Sequence, residues 1–297
     1  MSRPIDLMIV GAQKAGTTSL LRYLMQHPEI CVHSHREMVF FLNDEMYEKG
    51  YSKAWKKYFN ECKANKIIVA KDVMTMYSEK ALRRLKEHNH EIILVILLRD
   101  PVSRAYSAYW YARRRGWEFI KSFEEALKAE EERLNSESWD KWHQNAYLYN
   151  SIYYPHVKNC FEIFGKSNVK IYLTNWLKTD SVRICKELFS TLNIDQNFTP
   201  ETRINYNPGA LPKSDVLGRI ITFAFTRGKP IKEIIKRLLP EAKVTGLRHF
   251  ILGLNEVKGE IPPMNPSTKK WLREYFRPYN LSLQELTGID VSHWNDE

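Results

Sequence analysis

The run Glu91–Leu98, EIILVILL, narrows the possible folds more than any other stretch of this chain. It offers no polar face, so a strand made from it must be covered on both sides, as the strands of a helix-flanked parallel sheet are. Three other segments read as buried strands beside it: IDLMIV over 5–10, KIIVA over 66–70 and NVKIYLT over 168–174. Helical patterns lie between them. From Thr17, TTSLLRYLMQH puts Leu20, Leu21, Leu24 and Met25 on one face, with Pro28 as its stop, and a charged helix is predicted over 79–88. Strands alternating with helices predict an α/β fold, a three-layer sandwich with a central parallel sheet flanked by helices. With no internal repeat and no clear linker in 297 residues, the chain reads as one domain, 1–297, in which 200–260 forms a basic, partly irregular flap. The segment 123–134, FEEALKAEEERL, reads as an acidic helix with a solvated face.

Between the first strand and its helix lies VGAQKAGTTSL. Gly11 and Gly16 have the spacing of a P-loop, yet Thr17 and Thr18 follow the second glycine and the lysine, Lys14, stands inside the loop. A turn of this kind, opening a helix, gathers backbone N–H groups around an anion. The candidate phosphate cradle is Gly11, Lys14, Ala15, Gly16, Thr17, Thr18 and Ser19. The strongest strand ends in LLRDPVSRAYSAY, where Arg99 precedes the acid and Arg104 and Ser107 fall on the first turns of a helix. A phosphoryl-transfer enzyme would manage its charge with Mg²⁺ and a G-K-[ST] step. Arg99 suggests a second anion instead. Two anion sites at the ends of adjacent strands fit one ligand phosphorylated at two positions.

These residues carry a resemblance. VGAQKAGTTSL resembles the 5′-phosphosulfate loop of sulfotransferases that use 3′-phosphoadenosine 5′-phosphosulfate (PAPS), and LLRDPVSRAYSAY is similar to their 3′-phosphate motif. REMVFF (36–41) resembles the K-E-x-x-F-F segment of the branch that includes heparan sulfate sulfotransferases and bacterial enzymes. SIYYPHVKNCFEIF is similar to that branch's G-x-Y…F helix, and KGEIPPMNP to its K-G-R…P-P-M tail. The resemblance implies a P-loop-like sandwich and metal-free transfer of a sulfuryl group from PAPS to an acceptor hydroxyl, with an amine acceptor as the alternative. It implies that Lys14 stabilises the leaving phosphate, that Gly16, Thr17 and Thr18 hold the 5′-phosphate, and that Arg99 and Ser107 hold the 3′-phosphate. Lys258 and Gly259 would close over the nucleotide.

By the same resemblance Glu37 is the base, with Phe40 and Phe41 desolvating it and raising its pKa. Taken without the family, Glu37 is a surface glutamate paired with Arg36. His33 and His35 are the alternative bases, and each also reads as a polar loop residue. Arg36, His33, His35 and Phe40 are the candidate acceptor-side residues. Around VAKDVMTMYSE (69–79) the family tends to G-E-x-S-P-x-Y; Lys71 and Met74 depart from it, and that departure bears on the acceptor rather than the donor. The arginine triplet 113–115 reads as a solvated helix face, and Tyr109, Trp110 and Trp117 as packing residues.

The net charge of +10 favours an anionic partner without choosing one. Cys31, Cys62, Cys160 and Cys185 form no CxxC pair and read as buried free thiols, with no metal site. No stretch is long and apolar enough to span a membrane, and no leader pattern precedes the first strand, so the expectation is a cytoplasmic protein. A small metabolite or natural product is the favoured acceptor, with a carbohydrate second. A small-molecule kinase and a nucleic-acid binder are more distant alternatives: the first lacks G-K-[ST], and the second lacks any recognisable binding motif.

Overall fold

The computed structural model describes residues 2–63, 65–136, 143–202, 211–212, 214, 256–257, 259 and 261–296. The flap expected over 200–260, Lys258 included, lies almost wholly outside the described residues. The chain divides into two compact units.

The first unit, Met1–Arg104, Ile152–Asn207 and Arg273–Glu297, contains the sheet. Its strands are β1 (Leu7–Gly11), β2 (Ile30–Val32), β3 (Ile67–Lys71), β4 (Ile93–Leu98) and β5 (Val169–Leu173). They lie in the order β2-β3-β1-β4-β5, and every pairing is parallel. Leu7 is in register with Val69 on one side and Ile93 on the other. All five residues of β1 and the last five of β4 are buried, which explains their unbroken apolar character: both faces are covered. The chain runs from β1 to β2 at the sheet edge, returns to β3 and then crosses over β1 to β4, so the strand order changes direction beside β1. The crevice this opens at the carboxyl ends of the strands is where open α/β sheets bind ligands.

The helices of this unit include α1 (Thr17–Leu24), α2 (Asp44–Glu48), α3 (Tyr51–Tyr58) and α4 (Glu79–His88). Ser78 caps α4 by accepting the Ala81 N–H, and only Ala81, Leu82 and Leu85 of this charged helix are buried, one narrow stripe against the core. The helix α5 (Pro101–Arg114) starts at the end of β4, with Asp100 accepting the Ser103 N–H at 3.0 Å.

The second unit, Ala105–Ser151 and Pro208–Leu272, includes α6 (Phe123–Ser136) and a short antiparallel pair, β6 (Leu211–Pro212) with β7 (Glu256–Val257). Two sequence expectations change here. The acidic helix α6 is no mere solvated face: Glu130 is buried and accepts N–H groups from Tyr147, Leu148 and Tyr149 at 2.7–2.8 Å, closing a turn that would otherwise bury unpaired donors. The arginine triplet is not a solvated face either. Arg113 is buried and donates to the Ile120 carbonyl at 2.9 Å, while Arg115 lies over the rings of Tyr111 and Trp117. Tyr109 packs in the core as expected.

The cysteines split into two kinds. Cys160 and Cys185 are buried free thiols, as expected. Cys31 and Cys62 instead form a disulfide that ties β2 to the segment after α3; thirty-one positions separate them in sequence, and the fold brings their Cα atoms to 5.8 Å. Among the described residues no helix is long and apolar enough to cross a membrane.

Candidate active site

The loop after β1 is shaped by two left-handed residues. Gly16 has φ 98°, and Lys14, at φ 71°, adopts a conformation that costs a residue with a side chain about 1–2 kcal/mol. Alternation of left-handed and ordinary residues turns successive N–H groups into one concavity. The loop carbonyls are taken by donors from other elements. Arg99 Nη1 donates to the Lys14 carbonyl at 3.2 Å, and Thr174 Oγ1 donates to those of Ala15 at 2.8 Å and Leu98 at 3.0 Å. Ala12 N–H bonds to Leu97 at 2.8 Å, fastening the loop to β4. Thr17 is buried at the start of α1, and Thr18 and Ser19 beside it are half-buried. The end of β1, the turn and the start of α1 thus bring Gly11, Lys14, Gly16, Thr17, Thr18 and Ser19 together in the strand–turn–helix order that the spacing predicted. Thr174 was not singled out in the sequence; its signal was its place at the end of a predicted strand.

Arg99 is half-buried. Burial weakens its hold on its proton and Arg104 acts in the same sense, whereas Tyr153 and Asp100 oppose them. An anion at this position would relieve both the burial and the repulsion. Asp100 has structural partners, the Ser103 N–H and Arg273 Nη1 at 2.7 Å. Ser107 lies on α5 and is half-buried, in the part of the chain counted with the second unit, and Gly259 is exposed just after β7.

Glu37 follows the Cys31–Cys62 bridge and precedes the short turn Val39–Phe41. Its partner is neither Arg36 nor a phenylalanine but the fully buried Lys71 at the end of β3, whose ammonium pairs with Oε1; its Oε2 accepts the Val73 N–H at 3.3 Å. Phe40 is buried among Phe41, Tyr47 and Tyr51, in the core. The segment is held to the sheet by the Met38 N–H, which donates to the Lys71 carbonyl at 2.8 Å. His33 is also buried, and burial together with the nearby Lys71 charge lowers its pKa to about 3, so it is a neutral imidazole over the physiological range. His35 and Arg36 are exposed; Ser34 Oγ lies 3.0 Å from His35 Nδ1.

The strand ends bring the two clusters together. Asp72, immediately after β3, donates its N–H to the Ile9 carbonyl of β1 at 3.0 Å, and Met76 packs so closely on Gly11 that a side chain there would displace it. The turn after β1 and the Glu37–Lys71 pair therefore lie at the same ends of the neighbouring strands β1 and β3. Such a pairing can hold an anionic leaving group and take a proton from a nucleophile. Lys71 was visible in the sequence only as a departure from a motif, and Asp72 was not singled out.

Residues 4–204 match the family model described as the sulfotransferase domain. The chain is 25% identical over 286 residues to mouse heparan sulfate glucosamine 3-O-sulfotransferase 5, covering 95% of this chain and 71% of that protein. It is 26% identical over 291 residues to the human bifunctional heparan sulfate N-deacetylase/N-sulfotransferase 3, covering 94% of this chain but 29% of that protein. In fold it is similar to the crystal structure of a sulfotransferase from Alicyclobacillus acidocaldarius, with a TM-score of 0.70, 23% identity and full coverage of both chains. The chain belongs to the sulfotransferase domain family and is a sulfotransferase.

Proposed function

We propose that this enzyme moves a sulfuryl group from PAPS to the hydroxyl of a small metabolite or natural product. The observation that supports the reading is that Arg99 Nη1 donates to the Lys14 carbonyl at 3.2 Å, so the residue proposed for the 3′-phosphate lies against the loop proposed for the 5′-phosphate. Bound PAPS supplies the activated sulfuryl group. The loop N–H groups with Thr17 and Thr18 hold its 5′-phosphate, and Arg99 holds its 3′-phosphate. Glu37 takes the acceptor proton as the acceptor oxygen bonds to sulfur. The bond from sulfur to the bridging oxygen breaks, and Lys14 stabilises the negative charge left on the departing phosphate. Because a sulfuryl group carries less charge than a phosphoryl group, one lysine and backbone donors meet its electrostatic demand without a metal.

A carbohydrate acceptor is the second reading, favoured by the two relatives named for heparan sulfate and by the net charge of +10. A cytoplasmic location goes with the small-acceptor reading.

Calorimetric titration in EDTA tests the donor. 3′-Phosphoadenosine 5′-phosphate is expected to bind tightly and ATP weakly, and Lys14→Ala and Arg99→Ala are each expected to weaken the first at least about tenfold, the loss of one charge-assisted contact. Equal binding of ATP, or binding that needs Mg²⁺, would overturn the reading. Glu37→Gln is expected to bind the nucleotide normally and to lose turnover by about 10²–10⁴-fold.

A further inference from the structure

Arg99 and Asp100 link β4 to α5, and three residues from distant parts of the chain fasten that link. Tyr153, buried at the start of the helix Tyr153–Phe164, donates its hydroxyl to the Arg99 carbonyl at 2.9 Å. Arg273, from the helix Pro266–Thr287, donates through Nη1 to Asp100 Oδ1 at 2.7 Å and also to the Trp294 carbonyl. Trp294 is buried in turn, and its ring meets that of Tyr153 with centroids 6.1 Å apart. The contacts close a ring that runs from Arg99 through Tyr153, Trp294 and Arg273 to Asp100. The other Asp100 oxygen, Oδ2, accepts the Ser103 N–H at 3.0 Å and the Ser103 hydroxyl, so both carboxylate oxygens are occupied. All six residues belong to the first unit.

We infer that Tyr153 and Arg273 are positioning residues for the donor's 3′-phosphate, holding the Arg99–Asp100 link from two sides so that Arg99 presents its guanidinium to that group. The inference rests on the reading of Arg99 as the residue that holds the 3′-phosphate. One reason is aim. A long side chain points where the backbone on either side of its Cα directs it, and the ring fixes that backbone at the Arg99 carbonyl and again at Asp100. A binding group displaced by about 1 Å loses much of its contact, so the supporting bonds matter as much as the group they support. The other reason is charge. Asp100 follows Arg99 directly, and its carboxylate would repel a phosphate bound there; the Arg273 guanidinium balances it. The side chains of this ion pair are only 17% and 19% exposed, so water screens that repulsion poorly and Arg273 offsets more than a surface partner would.

The test is calorimetric titration of the full chain in EDTA with two nucleotides, 3′-phosphoadenosine 5′-phosphate and adenosine 5′-monophosphate, which lacks the 3′-phosphate. The ratio of their dissociation constants reads what the 3′-phosphate contributes. Arg99→Ala is expected to remove most of that ratio. Arg273→Gln and Tyr153→Phe are each expected to lower it at least about threefold, while the dissociation constant of the monophosphate changes less than about twofold. A tie that served stability alone would lower the urea midpoint and leave the ratio where it was. A change smaller than about threefold in either folded variant therefore overturns the inference. Should Arg273→Gln not fold, Tyr153→Phe decides, because it removes one hydroxyl and keeps the ring against Trp294. A ratio that Arg99→Ala does not move sinks the assignment of Arg99, and the inference with it. A ratio lost in Arg99→Ala but kept in the other two variants sinks the inference alone.

Discussion

Gly11 shows how much one residue decides in this loop. A Cβ built there would meet Met76 Sδ at 1.9 Å and Cγ at 2.7 Å, so either the methionine or the strand end must move. Gly11→Ala is expected to cost about 1–3 kcal/mol, the usual range for overpacking, and to weaken nucleotide binding because the turn starts at that residue. The urea midpoint and calorimetry measure the two effects. Adding Met76→Ala should recover part of the stability, since the two positions are coupled by contact; no recovery would place the cost in the backbone rather than in the clash. Gly16 is needed for its left-handed φ of 98°. The partner of Glu37 was not legible in the same way. Lys71 is thirty-four residues away, and only the meeting of the β3 end with the segment after β2 makes it the counterion in place of the adjacent Arg36.

At the scale of elements, what had periodicity was readable. The helix over 79–88 appears with those bounds because a cap, a narrow apolar stripe and a charged remainder all agree, and the strand at 91–98 begins two residues later than expected, at Ile93. β2 escaped because three residues are too few to show a pattern; it exists because Ile30 pairs with Ile67 at the sheet edge. The function of α6 was hidden for another reason: a buried glutamate and an exposed one have the same letter, and what Glu130 binds is the run 143–151, whose Tyr147 N–H comes seventeen residues later in the chain. The disulfide also belongs to this scale, since it needs β2 and the end of α3 side by side. Titration of thiols under denaturing, non-reducing conditions is expected to find two, Cys160 and Cys185, and four after reduction. Four before reduction would mean that Cys31 and Cys62 remain free.

Across the molecule the strand order matters most, because placing β1 between β3 and β4 sends the phosphate loop, Arg99 and the Glu37–Lys71 pair to the same ends of the strands. Net charge also acts at this scale and separates the two acceptor readings. For a small neutral acceptor the KM is expected to change less than about twofold between about 50 and 300 mM salt, whereas screening would raise the KM of a polyanionic glycan several-fold. Initial rates at saturating PAPS measure it. The sequence by itself determined the covered parallel sheet, the glycine-bounded turn with its displaced lysine, and the family, because those rest on apolar runs and on local conformations that a few adjacent residues dictate. Tertiary structure alone decided which charge answers which. The bracing of Glu37 by Lys71, the burial of Asp72 beside them, the hold of Thr174 on the loop and the Cys31–Cys62 bridge all join residues far apart in the chain. Their energies come from desolvation and Coulomb interaction, which depend on distance in the folded molecule and leave no periodic trace in the order of residues.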